Sequence, residues 1–186
     1  MDLLDWLLSF FLIFIWIAWI WLVITILIDI FRSDDLSGWG KAGWSIFVIV
    51  VPLLDDETVL LAREYACGLH HYELGLPKGR MEAGETAEET ANREMKEEIG
   101  YGARDLREIN AFSLAPAYMS HVTHIVLARD LYPEKLAGDE PETIDVVQWS
   151  LHDLRTLAER EDCTEGRTIA ALYYARDYLN DENRHD

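Results

Sequence analysis

The chain has 186 residues, half of them hydrophobic, and a formal net charge of −18. That length leaves room for one ordinary domain plus an appendage, and so acidic a chain repels nucleic-acid backbones and argues against a polynucleotide partner. Two cysteines, Cys67 and Cys163, make no disulfide framework and fit the reduced thiols of a cytoplasmic domain. The averages hide two unlike parts. Residues 1–54 hold nearly all the tryptophan and carry −3 of the charge, Arg32 and Lys41 against Asp2, Asp5, Asp29, Asp34 and Asp35, which leaves −15 for the remainder.

Residues 6–28 form a run of 23 without a charge, almost all apolar. At about 1.5 Å of rise per residue, such a helix crosses a hydrocarbon core of roughly 30 Å. Tryptophans near its ends, among Trp6, Trp16, Trp19 and Trp21, suit the headgroup level. The acidic amino end, the length of the run and the lack of a small-residue cleavage site separate it from a signal peptide. One transmembrane helix is therefore expected. Arg32 and Lys41 follow it and no Lys or Arg precedes it, which puts the carboxyl side in the cytoplasm of a single-pass inner-membrane protein.

Residues 29–44 (DIFRSDDLSGWGKAGW) read as a polar, glycine-containing connector. Residues 45–54 (SIFVIVVPLL) are too short to span alone, and Asp55-Asp56-Glu57 interrupts them. Their β-branched, apolar character, with VLLAREY returning from Val59, favours a strand over a second membrane segment. The chain is thus read as helix and connector over 1–43 and a globular domain over 44–186. In that domain the pattern is strand, loop, helix, then strands around 108–115 and 121–129. An acidic loop over 138–142 (GDEPE) precedes a strand over 144–149 and a short helix capped by Ser150 with Asp153. A last helix over 167–179 carries Ile169, Leu172, Tyr173 and Arg176 on one stripe. This mixture predicts an α+β domain built as an α/β/α sandwich.

The chemistry concentrates in residues 79–101, GRMEAGETAEETANREMKEEIGY. Gly75, Gly79 and Gly84 mark a loop with unusual backbone angles. Thr86 followed by Glu89 is a capping box, so a helix should begin at Ala87, and Gly100 should stop it. On that helix Glu94, Glu97 and Glu98 stand at i, i+3 and i+4 and project from one face. Like charges so close destabilise a helix by a few tenths of a kcal/mol per pair. A Glu-rich helix is commonly only a solvated face, but the glycine loop ahead of this one favours a bound cation. Carboxylate oxygens with room for water suit Mg²⁺ or Mn²⁺, particularly where phosphate oxygens complete the shell. Arg93 is placed to pair with Glu85 and hold loop against helix.

These residues resemble the Nudix box, G-x5-E-x7-R-E-U-x-E-E-x-G-U with U a bulky apolar residue. The fixed positions are Gly79, Glu85, Arg93, Glu94, Met95, Glu97, Glu98, Gly100 and Tyr101; Tyr101 is less usual than an aliphatic. The resemblance implies metal-dependent hydrolysis of a nucleoside diphosphate linked to another moiety. It makes Glu94 and Glu98 the main metal ligands, with Glu97 sharing the cluster and the Lys78 or Gly79 carbonyl as an extra ligand; Glu94 is alternatively the base. A later-loop glutamate orients the water or completes the metal shell in the family's ADP-sugar hydrolases, and Glu140 and Glu142 match by position. The competing reading of that loop is an exposed acidic turn.

Beyond the box, Arg63-Glu64-Tyr65, Tyr72-Glu73-Leu74-Gly75, Leu114-Ala115-Pro116-Ala117-Tyr118 and Asp130-Leu131-Tyr132-Pro133-Glu134 are similar to the family's ADP compounds hydrolases. That branch implies ADP-ribose, NADH and diadenosine polyphosphates as substrates, and a homodimer. Arg63 is the candidate phosphate contact, with Glu73 and Lys78 also on the substrate side; the competing reading of Arg63 is a surface ion pair with Glu64 or Glu73. His121 and His124 are spaced for opposite strand faces and make no metal pair. Residues 1–54 resemble the bacterial membrane module that precedes phospholipase D-type nuclease domains, through the run Leu36-Ser37-Gly38-Trp39-Gly40-Lys41 and Trp44. They replace the small sheet that builds the dimer in the branch, so the homodimer loses part of its basis. The alternative to an enzyme is a non-catalytic nucleotide sensor of the same fold, regulating a membrane partner.

Overall fold

The computed structural model describes residues 3–32, 46–117, 121–138 and 142–185. Two units divide the chain, Met1–Trp39 and Gly40–Asp186. The first contains helix α1 (Leu3–Arg32), 30 residues with neither glycine nor proline to interrupt it. Side chains are described there for Trp6 and for 11–25, and those of Phe11, Phe14, Trp16, Trp21 and Ile24 are all exposed. Among the described residues no helix is long and apolar enough to cross a membrane. Positions 33–45, most of the expected connector, lie outside the described residues.

In the second unit, strands β1 (Ile46–Pro52), β2 (Thr58–Ala66), β3 (His71–Gly75) and β4 (Lys78–Arg80) precede helix α2 (Ala87–Glu98). Strands β5 (Tyr101–Ser113), β6 (Val122–Pro133) and β7 (Asp145–Ser150) follow. A 3₁₀ turn, Leu151–Asp153, then leads into α3 (Leu154–Ala158) and α4 (Gly166–His185). One sheet has the order β4-β1-β6-β5 and the other β3-β2-β7. Strands β1 and β6 are parallel, from Ile46 opposite Val122 to Pro52 opposite Ala128.

Within the expected stretch 45–54, Ile46–Pro52 is a strand, as the turn chemistry behind it predicts. Its unbroken apolar run has a packing cause: β1 is covered on both faces. Val48 and Val50 join Leu60, Ala62, Ala91, Met95 and Ile99 in the core under α2. Ile49 and Val51 join Leu61, Leu127, Leu154, Leu172 and Ala175 in the core under α3 and α4. The expected α/β/α sandwich is the observed architecture.

Three element boundaries differ from expectation. Strand β5 starts at Tyr101, seven residues before the hydrophobic pattern announces it, because Tyr101 to Ala103 pair with Pro133 to Leu131, a partner distant in the chain. The stretch read as a loop after β2 contains β3 and β4, the former paired from Gly75 opposite Ala62 to His71 opposite Ala66. Helix α4 runs on to His185, tied by Glu182 to Arg129 at 2.5 Å and to Arg107 at 3.2 Å. Ser150 caps only the 3₁₀ turn, accepting from the His152 N–H at 3.2 Å.

Candidate active site

The site is built around the start of α2. Thr86 Oγ1 accepts from the Glu89 N–H at 3.2 Å while Glu89 accepts from the Thr86 N–H at 2.9 Å, so the capping box forms as read. The helix stops at Gly100, whose φ of 75° favours glycine. Ahead of it Arg93 donates to both oxygens of Glu85, each at 3.0 Å, and to the Arg80 carbonyl at 3.1 Å. That fork holds the loop against the helix. The guanidinium hydrogen bonds keep the Glu85 carboxyl down at about 2.

Strand β4 pairs antiparallel with β1, setting Gly79 opposite Val48 on the face that α2 covers. A Cβ on Gly79 would lie 1.9 Å from Cδ and Oε1 of Glu94, so the carboxylate occupies the space that only glycine leaves. Next to it, Glu98 is buried at 6% exposure, and its Oε2 accepts from the Lys78 N–H at 3.3 Å. Burial, then the neighbouring charge of Glu64, pushes the Glu98 carboxyl far above the usual range. One oxygen of Glu64 meets Lys78 Nζ at 3.4 Å; the other, Oε1, is buried without a hydrogen-bond partner among the described residues.

Glu94, Glu97 and Glu98 line a single cavity of about 640 Å³ with Lys78, Gly79, Arg80 and Phe47. As they stand, no three acidic, His or Cys side chains among the described residues are spaced to hold a metal ion. The positive charge between Glu94 and Glu97 is Arg93 Nη1, at 2.7 Å and 3.3 Å. The residues nevertheless fit a hard divalent cation: every acidic donor is a carboxylate oxygen, one carboxyl is buried with a backbone N–H and the Lys78 ammonium to oppose its charge, and a side chain is missing where Glu94 lies. Such a cation would be held by Glu94, Glu97 and Glu98.

The other expected site residues scatter. Glu142 shares a second cavity of about 300 Å³ with Glu97, Lys135 and Gly138, and accepts from Tyr72 Oη at 3.1 Å. Glu140 lies outside the described residues. Glu73 accepts from the Thr164 N–H at 2.9 Å and Oγ1 at 3.1 Å, tying β3 to the loop before α4. Arg63 is exposed, its guanidinium 5.5 Å from the Tyr72 ring centre, and does not line the carboxylate cavity. His121 packs on the Phe47 ring at 4.9 Å, whereas His124 Nδ1 meets Glu108 at 2.8 Å. Sequence reasoning missed Arg80 and Phe47, cross-strand partners on β4 and β1. The period of two from Lys78 to Arg80 across Gly79 was the available signal. Lys78 and Arg93 both have acidic partners; Arg80 is exposed and has no ion pair among the described residues.

Residues 45–172 match the model of the NUDIX domain. The chain is 47% identical over 137 residues to the ADP compounds hydrolase NudE of Escherichia coli (strain K12), covering 74% of this chain and 73% of that protein. It is 32% identical over 129 residues to the ADP-ribose pyrophosphatase of Bacillus subtilis (strain 168), covering 68% and 70% respectively. A crystal structure of an ADP compounds hydrolase superposes with a TM-score of 0.70 at 46% identity, over 75% of each chain.

Two outcomes follow from this geometry. A Gly79→Ala variant should fold with a melting temperature within a few degrees of the parent, because only the flexible end of Glu94 must move. It should nevertheless lose at least about tenfold in turnover, read by calorimetric melting beside a product assay. The Glu85 carboxyl, depressed in the folded state, contributes stability that is present above its unfolded value of 4.5 and lost as pH falls toward about 2. Urea unfolding between pH 7 and pH 2 should show Glu85→Gln less stable by on the order of 1–2 kcal/mol at neutral pH, the difference closing across that acid window.

Proposed function

We propose that this chain, which belongs to the NUDIX family and is a Nudix pyrophosphatase, cleaves the pyrophosphate bond of ADP-linked compounds. ADP-ribose, NADH and diadenosine polyphosphates are the substrate class, and AMP with a second phosphorylated product is the outcome. The observation that carries this reading is the convergence of Glu94, Glu97 and Glu98 on one cavity beside a glycine with no room for a Cβ. Mg²⁺ or Mn²⁺, when bound there, polarises a water and neutralises charge building on the pyrophosphate.

The chain's own residues do the rest. Glu94 and Glu98 are the principal holders of the ion and Glu97 shares the cluster. Glu142, across the second cavity from Glu97, orients the attacking water in this reading; Glu140 is the other candidate for that task. Arg80 takes a substrate phosphate, since Arg93 and Lys78 are already paired with carboxylates. Arg63 is the competing phosphate contact. Incubation with Mg²⁺ and ADP-ribose should yield AMP and ribose 5-phosphate, and Glu98→Gln should abolish the products. Binding of ADP-ribose without products would support a sensor instead. Arg80→Gln should raise KM about tenfold with kcat held within about twofold, and Arg63→Gln should not; the reverse pattern transfers the phosphate contact to Arg63.

We further propose that residues 6–28 anchor the enzyme as a single-pass inner-membrane protein with the catalytic domain in the cytoplasm. Support comes from the uncharged run of 23 residues within the unbroken helix α1. The likeness of residues 1–54 to a bacterial membrane module belongs to the same proposal. After alkaline carbonate extraction the full chain should stay with the membrane pellet, and a chain without residues 1–43 should appear in the supernatant. A full chain that is extracted by carbonate overturns the anchor.

A further inference from the structure

The carbonyl end of α2 is closed by a segment that no part of the proposed chemistry uses. A helix leaves its last four carbonyls without intrahelical partners. In α2 the Met95 carbonyl accepts from the Ile99 N–H at 3.0 Å, the helix's own last bond. The carbonyls beyond it are met by the stretch that follows β6. The Leu136 N–H donates to the Lys96 carbonyl at 3.0 Å and the Glu134 N–H to the Gly100 carbonyl at 3.0 Å. Between them, the Lys135 ammonium donates to the Glu97 carbonyl at 2.5 Å and the Glu98 carbonyl at 3.1 Å. Lys96 Nζ returns an ion pair to Glu134 at 2.8 Å. Two positions downstream of Leu136, a Cβ on Gly138 would stand 3.4 Å from Cβ of Glu97, ordinary contact distance.

We propose that Lys135 is a positioning residue for the cation-holding carboxylates. One ammonium grips the backbone carbonyls of two adjacent residues whose side chains both line the carboxylate cavity. It thereby fixes where Glu97 and Glu98 project, and by its own place in the chain it sets Gly138 and the shared cavity of Glu97 and Glu142 in register with them. A cation at a helix C-terminus is favourable in any helix. This one bridges the final turn at the two carboxylates themselves and belongs to the segment leading toward Glu142.

This inference rests on the proposed function, and its test separates the two. Mn²⁺ binding to the full-length, detergent-solubilised protein is measured by electron paramagnetic resonance without nucleotide, alongside kcat and KM for ADP-ribose. Lys135→Met should weaken Mn²⁺ binding about tenfold and lower kcat about tenfold, the loss typical of an outer-shell partner of a metal site. KM should stay within about twofold. Lys135→Arg, which keeps a cationic donor, should restore both. Thr86→Ala removes the cap at the other end of the same helix and lowers its stability comparably, yet should cost Mn²⁺ affinity no more than about twofold. Unchanged Mn²⁺ affinity and kcat in Lys135→Met overturns the inference. So does an equal loss in Thr86→Ala, which would make Lys135 a helix cap and nothing more. A parent protein that takes up no Mn²⁺ and cleaves no ADP-linked compound overturns the function first, and this inference with it.

Discussion

The site depends on a carboxylate lying against bare backbone: Glu94 fills the space over Gly79 that any other residue would take with its Cβ. The contact needs an edge strand in fixed register, supplied by the pairing of Gly79 with Val48. It needs a helix that begins at a defined residue, supplied by the Thr86–Glu89 box. It also needs the loop between them held, which is the work of the Glu85–Arg93 fork. Each is a local interaction worth on the order of 1 kcal/mol in an ordinary setting. Together they hold three acidic side chains closer than their charges favour.

The opposing cost is electrostatic. Exposed glutamates at helical spacing lose only a few tenths of a kcal/mol per pair, but Glu98 is buried, where an uncompensated carboxylate is far less favourable. The protein offsets part of this with one backbone N–H from Lys78, and part with Arg93 Nη1 between Glu94 and Glu97. The remainder shows in the raised Glu98 carboxyl and in the partnerless Glu64 Oε1. A divalent cation held there would offset that cost, which is the physical sense in which the donor set fits one.

Legibility from sequence tracked the range of the interactions. Helix α2 was readable because its cap, its stop and its carboxylate face are all encoded within 15 residues. Strand β1 was readable against a membrane alternative because the Asp55-Asp56-Glu57 turn sits beside it; that both its faces are buried could come only from the packed fold. Strands β3 and β4 were missed because they are short, hold glycines, and exist through partners on β2 and β1. Glu73, read as substrate-facing, accepts in the structure from the Thr164 backbone N–H 91 residues away, a partner no local pattern announces. Arg80 became visible as a cation without an ion pair only once Lys78 and Arg93 were seen to have theirs.

The charge of the whole chain gives that last point its weight. A molecule at −18 repels a polyphosphate at long range, so attraction has to be created within the cavity. A divalent ion held by the carboxylates would supply most of it, reversing the local field. Such an ion gathers phosphate oxygens without choosing which part of the substrate lies to either side. Arg80 stands across the strand pair from Phe47, whose ring packs on His121. In the proposed reading Arg80, beside that aromatic surface, would choose, because a guanidinium offers a fixed fork to one phosphate and the ring a flat face to whatever is attached. The acidity of the surroundings would sharpen that choice by limiting the competing cations to Arg63 and to Arg167, whose guanidinium stands 5.8 Å from the Phe47 ring centre.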